Sequence, residues 1–419
     1  MTLDPVHFDG IAELARRIRY DVNESDHRAF AETVWNEFLA PLVHDGRTVL
    51  EPLDGLARHS APVEDVALTE TAFDTVHGLD SGTINPTTFT NGLVLDIAQA
   101  AMSATPSDLD LHRARTLVMT VHTNDATVDV DEADWEEGDD GYIRSQIRHA
   151  PHVNRFEEGV VHALALYLAE SDHALEHADE VDELLVLDGP LYPKGLLKWA
   201  DRHPELATLL AEEDQPREVV GNYVELVETF VQRDVPLVGF VKNPASKVVT
   251  QVVRKQGGQA PWVDDSAFFS RVLERRDPGE TGAYERDTDR LTCTNWFRSR
   301  GGVDRPLSTD GDALGVERGL DASEYEVTFC MVYDPREDIV YRLEAPYAFT
   351  KDADLREDLR LFAMQEVAAE SGPPRAVAKA DELARISRDE KRALRETLEE
   401  SFDARRARNY DDMRWGDGE

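Results

Sequence analysis

The sequence predicts an α/β fold in which a mixed β-sheet is flanked by helices, with helical extensions at both ends. Short apolar runs typical of buried strands alternate along the chain with segments of helical periodicity, a pattern characteristic of α/β proteins. Two adjacent pairs of runs are separated by turn-like segments and predict hairpins, so the sheet must contain antiparallel strands. Hydrophobic residues make up 41% of the 419 residues, enough to fill the core of one large domain or of two.

The first 65 residues are predicted to form a helical segment. Apolar residues recur there at helical spacing, as in Ile11, Leu14 and Ile18, and the pattern continues to Leu42. The stretch 45–70 is polar and contains proline, so we interpret it as a connection to the central part of the chain.

Residues 66–400 are predicted to form one domain that contains the sheet. Its predicted strands are 73–79, 93–98, 116–121, 183–187, 235–241, 325–333 and 339–343. Its predicted helices cover 153–170 and 194–233, begin again near 246 and occupy most of 351–407. We expect an acidic surface insertion at 125–145, an irregular excursion at 276–324 and a polar tail at 401–419.

The strong negative charge informs about the environment more than about the ligand. The chain has 84 acidic and 45 basic residues, a formal net charge of −39, and only eight of the basic residues are lysine. Phosphate groups repel such a chain. In molar salt, however, the Debye length falls to about 3 Å and long-range repulsion is screened. We therefore interpret the composition as adaptation to a salt-rich environment, which leaves a nucleic-acid ligand open.

The remaining composition predicts a cytoplasmic protein. Cys293 and Cys330 form neither a metal-binding pattern nor a disulfide framework, which fits a reducing compartment. No uncharged apolar run approaches the roughly 20 residues that a membrane span requires. The chain also lacks a Walker A loop, a GxGxxG motif and a GxSxG elbow, so nucleotide-driven, dinucleotide and serine-hydrolase chemistry are disfavoured.

Two aspartates directly follow predicted buried strands. Asp80 comes after Val76–Leu79, and Asp188 comes after Leu184–Leu187. The ends of strands are where α/β folds place functional groups, and converging carboxylates bind Mg²⁺ or Mn²⁺. Such an ion can activate water for phosphodiester cleavage. The alternative is that each aspartate is an ordinary turn residue.

Three further positions carry candidate functional groups. Glu157 lies on the apolar stripe of the helix predicted from 153, beside Glu158; either acid is otherwise explained by the dipole at the helix start. Lys242 follows the strand 235–241 and is suited to a phosphate contact, or else is a solvated lysine. Glu344 ends another predicted strand and is equally ambiguous.

The order of these motifs resembles that of the NurA nuclease family over about residues 70–390. The matching segments are Leu79-Asp80-Ser81-Gly82, Arg155-Phe156-Glu157-Glu158, Leu187-Asp188-Gly189-Pro190-Leu191, Gly239-Phe240-Val241-Lys242-Asn243-Pro244-Ala245-Ser246 and Tyr341-Arg342-Leu343-Glu344-Ala345-Pro346. The resemblance implies an RNase H-like core, a homodimer and Mn²⁺-dependent cleavage of DNA. It further implies 5′-to-3′ exonuclease and single-strand endonuclease action in double-strand-break end resection, with a HerA-like hexameric ATPase as partner.

Carried over by position, the resemblance implies that Asp80, Asp188 and either Glu157 or Glu158 form the catalytic metal site, with Lys242 as a phosphate contact. Two departures from the family pattern stand out. The first motif has the order Asp-Ser-Gly instead of Asp-Gly-Ser, and Asp381 stands where the family has a late histidine after a tyrosine. Asp381 is a possible metal ligand but cannot act as a neutral imidazole. The alternative to a nuclease is therefore a catalytically impaired subunit that binds DNA or the ATPase.

Overall fold

The computed structural model describes residues 5–17, 24–132, 134–278 and 284–407. It confirms the predicted fold class, a mixed α/β architecture with a large central mixed sheet flanked by helices. The described strands are β1 (Leu42–His44), β2 (Arg47–Pro52), β3 (Arg58–Pro62), β4 (Val76–Thr83), β5 (Thr87–Thr88), β6 (Val94–Thr105), β7 (Arg115–His122), β8 (Glu136–Glu137), β9 (Ile143–His149), β10 (Leu185–Asp188), β11 (Leu237–Val241), β12 (Arg276–Pro278), β13 (Tyr284–Arg286), β14 (Arg290–Thr294), β15 (Phe297–Ser299), β16 (Val327–Asp334) and β17 (Ile339–Pro346).

Helices cover both faces of this sheet. They are α1 (Pro5–Arg16), α2 (Glu24–Phe38), α3 (Val63–Ala67), α4 (Glu157–Glu176), α5 (Lys194–Leu197), α6 (Trp199–Arg202), α7 (Pro204–Glu212), α8 (Asp214–Arg233), α9 (Val248–Lys255), α10 (Asp265–Leu273), α11 (Tyr347–Thr350), α12 (Ala353–Glu370), α13 (Arg375–Ala384) and α14 (Arg388–Ser401). None of the described helices is both long and apolar enough to cross a membrane.

The centre of the sheet has the strand order β11-β10-β4-β6-β7. Strand β10 is parallel to both β4 and β11, whereas β6 is antiparallel to β4 and to β7. Both predicted hairpins are present, as the antiparallel pairs β4–β6 and β16–β17. Because β4 and β10 run side by side in the same direction, Asp80 and Asp188 lie on neighbouring strands.

The N-terminal segment is not purely helical, as predicted, because residues 42–62 contribute three strands to the sheet. Strand β2 pairs with β15, and β3 pairs with β14. These partners lie in the segment 276–324, which was expected to be irregular and instead contains short strands. Each strand is too short and polar to be recognised without its partner, and the partners are more than 200 residues apart. Of the predicted polar tail, residues 408–419 lie outside the described residues.

Strand β4 is longer than predicted, and this changes the setting of Asp80. The segment 80–83 was expected to begin a turn, but its pairing with β6 continues to Thr83 opposite Ala98. Successive residues of a strand point to opposite faces. Asp80 therefore projects toward one face of the sheet and Ser81 toward the other.

Two helices, one on each face, enclose this part of the sheet. Helix α4 packs on β6, β7 and β4, and its apolar side joins a core with α8. Helix α13 packs on β4, β6 and β10 from the opposite face, beside α12. The functional candidates on β4 and β10 thus lie between α4 and α13.

Candidate metal centre

Three aspartates from distant parts of the chain converge at the β4–β10 edge. One carboxylate oxygen from each of Asp80, Asp188 and Asp381 lies within 4.8 Å of the other two. Asp80 and Asp188 are half-buried, and Asp381 is exposed. We refer to these three residues as the carboxylate cluster. Separations of this size allow the three groups to bind one divalent cation.

The pairing of β4 with β10 brings the first two aspartates together. Leu187 lies opposite Leu79, one residue before each aspartate. Asp188 is the last residue of β10, and Asp80 receives a hydrogen bond from the backbone N–H of Ser81 to its Oδ1, at 2.7 Å. Backbone pairing therefore holds both carboxylates, independently of flexible loops.

Two glycines on β4 allow α13 to deliver the third aspartate. A Cβ on Gly78 would lie 2.3 Å from the backbone of Ala376, and a Cβ on Gly82 would lie 2.3 Å from the carbonyl oxygen of Ala384. Both positions alternate with the face of Ser81, so they lie on the same face as Asp80. Any larger residue at these sites would push α13, and with it Asp381, away from the strand. The order Asp-Ser-Gly thus fits the close packing of this helix.

The other face of β4 holds a carboxylate that the sequence analysis missed. Ser81 Oγ donates to Glu170 Oε1 at 2.6 Å, and Tyr223 donates its hydroxyl to Glu170 Oε2 at 3.0 Å. Glu170 lies in the last part of α4, and its charge contributes to raising the pKa of Asp80. It therefore supports the carboxylate cluster from the face opposite Asp381.

One cation lies among these acids. Lys242, the residue after β11, places its Nζ 2.6 Å from Asp188 Oδ2. Burial alone would lower the pKa of Lys242, but the hydrogen bond and charge of Asp188, together with Asp80 and Asp381, raise it. Lys242 is therefore a protonated lysine held by the acid at the end of β10.

Burial and mutual repulsion make the acids reluctant to ionise. Burial and the charges of Asp188 and Glu170 raise the pKa of Asp80. Burial also raises the pKa of Asp188, even though Lys242 opposes the shift. The pKa of Glu170 is raised to about 7, chiefly by burial, against the lowering effect of its two hydrogen bonds. Four acids with one lysine leave an excess of negative charge that a bound cation would neutralise.

The two glutamates predicted for this site lie elsewhere. Glu157 and Glu158 form the first turn of α4, 13 residues before Glu170, which is about 20 Å along the helix axis. Glu158 accepts a hydrogen bond from Thr88 at 3.1 Å, and Glu157 lies near His122. The prediction chose the wrong end of the helix, since α4 continues to Glu176, beyond its predicted end at 170.

A sequence signal for Glu170 did exist. It is the first acidic residue after the run Gly159–Ala169, which has no carboxylate, and it shares a helical stripe with Leu166 at spacing i, i+4. An acid that ends a largely apolar stretch of a buried helix differs from one in a first turn. The contact with Ser81, however, depends on the packing of α4 against β4.

Glu344 belongs to a separate group of buried charges. Its Oε1 lies 2.5 Å from Lys194 Nζ and 2.7 Å from Arg342 Nε, and its Oε2 accepts the backbone N–H of Leu191 at 3.1 Å. Lys194 also binds Asp304 at 2.8 Å. We refer to Lys194, Asp304, Arg342 and Glu344 as the buried ion network. Each acid there has cationic partners, so Glu344 has a structural explanation.

Comparison with known proteins places these residues in context. The model of the NurA domain family matches residues 74–386. The crystal structure of the NurA nuclease from Sulfolobus solfataricus is similar, with 12% identity and a TM-score of 0.49, over 96% of this chain and 98% of that one. A crystal structure of NurA bound to dAMP and manganese shares 10% identity with a TM-score of 0.38, over 82% and 90% of the two chains. No match is found among curated proteins.

Proposed function

The chain belongs to the NurA family of nucleases, and we propose that it is a DNA nuclease that hydrolyses phosphodiester bonds with a bound Mn²⁺ or Mg²⁺ ion. The observation that carries this proposal is the carboxylate cluster, in which three acids share the charge of one lysine. Carboxylate oxygens are the ligands that these hard cations prefer. The family match spans the whole cluster, from Asp80 to Asp381.

Asp80, Asp188 and Asp381 would hold the metal. When bound, such an ion supplies an activated water and stabilises the leaving oxygen of the cleaved phosphodiester. The raised pKa values of Asp80 and Asp188 favour this role, because cation binding displaces protons that repulsion otherwise retains. In this proposal Glu170 replaces Glu157 and Glu158 as the acid from α4.

Glu170 and Lys242 would assist from the two sides. Glu170 has a pKa of about 7, so it is partly ionised near neutral pH and suited to accept a proton from water. Ser81 and Tyr223 hold both of its oxygens in place. Lys242 can exchange part of its bonding to Asp188 for a phosphate oxygen, since an ammonium group has three donors.

The test is degradation of DNA by purified protein across Mn²⁺ and Mg²⁺ concentrations in high salt. We expect Asp80→Asn and Asp188→Asn each to reduce the rate at least a thousandfold, because each removes a charged ligand. Asp182→Asn is the matched control, since Asp182 is an exposed acid just before β10, at the opposite end from Asp188. Full activity in both site variants would remove the proposed ligands.

The finer properties rest on family membership. We propose 5′-to-3′ exonuclease and single-strand endonuclease action in DNA end resection, by an RNase H-like core in a salt-rich cytoplasm. We propose a homodimer that works with a HerA-like translocase. Oligonucleotides labelled at either end test the polarity, and light scattering tests the dimer.

A catalytically impaired subunit is the second candidate. One sequence observation favours it, because Asp381 occupies the position of the family's late histidine. This candidate predicts DNA binding without cleavage at any Mn²⁺ or Mg²⁺ concentration. Measurable, Asp188-dependent cleavage would exclude it.

A further inference from the structure

A second acid–base pair lies on α4, away from the carboxylate cluster. Asp96 of β6 is fully buried, and its Oδ2 lies 2.7 Å from Nδ1 of His162. The other oxygen of Asp96 accepts the backbone N–H of Ile97 at 2.8 Å. The side chain of His162 is 40% exposed. The histidine thus covers a buried carboxylate while the far side of its ring remains accessible.

The position of His162 relates it to the metal centre. His162 and Glu170 are eight residues apart on α4, so they share one stripe of the helix and lie about 12 Å apart along its axis. Both contact the β4–β6 region of the sheet, through Asp96 and Ser81 respectively. A strand of nucleic acid that follows this stripe would pass both residues.

Cationic groups outnumber the carboxylate around Asp96. Lys391 of α14 lies close enough to Asp96 for the two charges to interact, and Arg395 lies one helical turn further along α14. Burial and the charge of Arg395 lower the pKa of Lys391, whereas Asp96 raises it. Together with His162, these side chains form a locally positive region in a chain of net charge −39.

We propose that His162 and Lys391 bind a phosphate of the nucleic-acid strand about three nucleotides from the metal centre. The estimate follows from the 12 Å offset and a spacing of about 3.4 Å per phosphate along a stacked strand. The inference rests on the proposed nuclease function and adds a contact that positions the strand. Neither residue touches the carboxylate cluster in the hydrogen bonds and ion pairs described for it.

The chemistry of the pair suits this role. A carboxylate only accepts hydrogen bonds, so Asp96 requires Nδ1 of His162 to carry its hydrogen. The second ring nitrogen, Nε2, lies on the opposite side of the ring, where a protonated imidazole donates to a phosphate oxygen. Asp96 fixes the ring orientation, which lowers the entropy lost when the contact forms.

The experiment measures DNA binding by full-length protein in the Asp188→Asn background, which we expect not to cut. Fluorescence anisotropy with labelled single strands of two and of twelve nucleotides separates near from distant contacts. His162→Gln and Lys391→Gln should each weaken binding of the longer strand about tenfold, the effect of losing one charge-assisted hydrogen bond. Each should also reduce the slope of log affinity against log salt by about 0.7. The dinucleotide should bind equally to all variants.

A matched control and two outcomes separate this inference from the function beneath it. His177→Gln changes a histidine at the end of the same helix that pairs with Glu180, and should leave affinity and slope unchanged. If both His162→Gln and Lys391→Gln bind the longer strand with unchanged affinity and slope, the phosphate site is refuted while the nuclease proposal stands. If the background protein and the wild type bind no DNA at all, the proposed function fails and this inference fails with it.

Discussion

Two groups of acids lie near each other in the sheet, and the chain treats them in opposite ways. In the buried ion network, Asp304 and Glu344 are matched by Lys194 and Arg342. Burial alone would raise the pKa of Asp304, but the charges of Lys194 and Arg342 lower it overall. The network is therefore internally neutral.

The carboxylate cluster has no such balance. Lys242 alone faces Asp80, Asp188 and Asp381, with Glu170 behind them, and the pKa values of Asp80 and Asp188 are raised. The comparison teaches that buried acids alone do not mark a functional site. The informative feature is a group of acids for which the fold supplies too few cations.

The largest expected difference between the two groups is in stability. Glu344→Gln should reduce the free energy of unfolding by about 3–5 kcal/mol, because Lys194 and Arg342 lose the charge that compensates them. Asp188→Asn should be neutral or stabilising in metal-free protein, because it removes repulsion with Asp80. Urea denaturation in the presence of a chelator measures both. A loss in Asp188→Asn as large as that in Glu344→Gln would remove the contrast.

Glu170 sharpens the comparison through pH. Its pKa rises from 4.5 to about 7 on folding, so the folded state holds a proton that the unfolded state releases between these values. The stability of metal-free protein should therefore fall as pH rises from 4.5 to 7, by at most about 3 kcal/mol from this group.

Glu170→Gln should flatten that pH dependence, since glutamine does not titrate. Glu176→Gln, at the exposed end of the same helix, is the control and should retain the slope. Chemical denaturation at several pH values provides the measurement. An equal slope in wild type and Glu170→Gln would show that burial does not hold the proton there.

A smaller effect is expected from the glycine that admits α13. Gly82→Ala places a methyl group against the carbonyl oxygen of Ala384 and should cost about 1–3 kcal/mol of stability. It should also weaken metal binding, because α13 carries Asp381. Gly159→Ala is the control: Gly159 is an exposed helical position with open space around it, where alanine should stabilise by about 0.5–1 kcal/mol. Unchanged stability and metal affinity in Gly82→Ala would mean that the contact is not tight.

The parts of the fold that follow from local pattern could be predicted from the sequence. The apolar run before Asp188 predicted β10, and the α/β class with both hairpins followed from similar runs. The strands β2 and β3 could not be predicted, since their hydrogen-bonding partners lie more than 200 residues away.

The same division applies to the site. Asp80 and Asp188 are recognisable because each follows an apolar run, and the structure brings them together. Glu170 owes its position to the packing of α4 on β4 and to Ser81, which no local pattern encodes. A helix places its acids at positions along its length that only tertiary packing distinguishes, so Glu157 was preferred over Glu170.

The most direct test of the central claim is calorimetric titration of metal-free protein with Mn²⁺, in buffers of different ionisation enthalpy. The account predicts saturable binding with release of protons, because the cation displaces protons held by acids of raised pKa. Binding should be lost in Asp188→Asn and retained in Asp182→Asn. Binding of equal affinity in wild type and Asp188→Asn, or no binding by the wild type, would contradict the account.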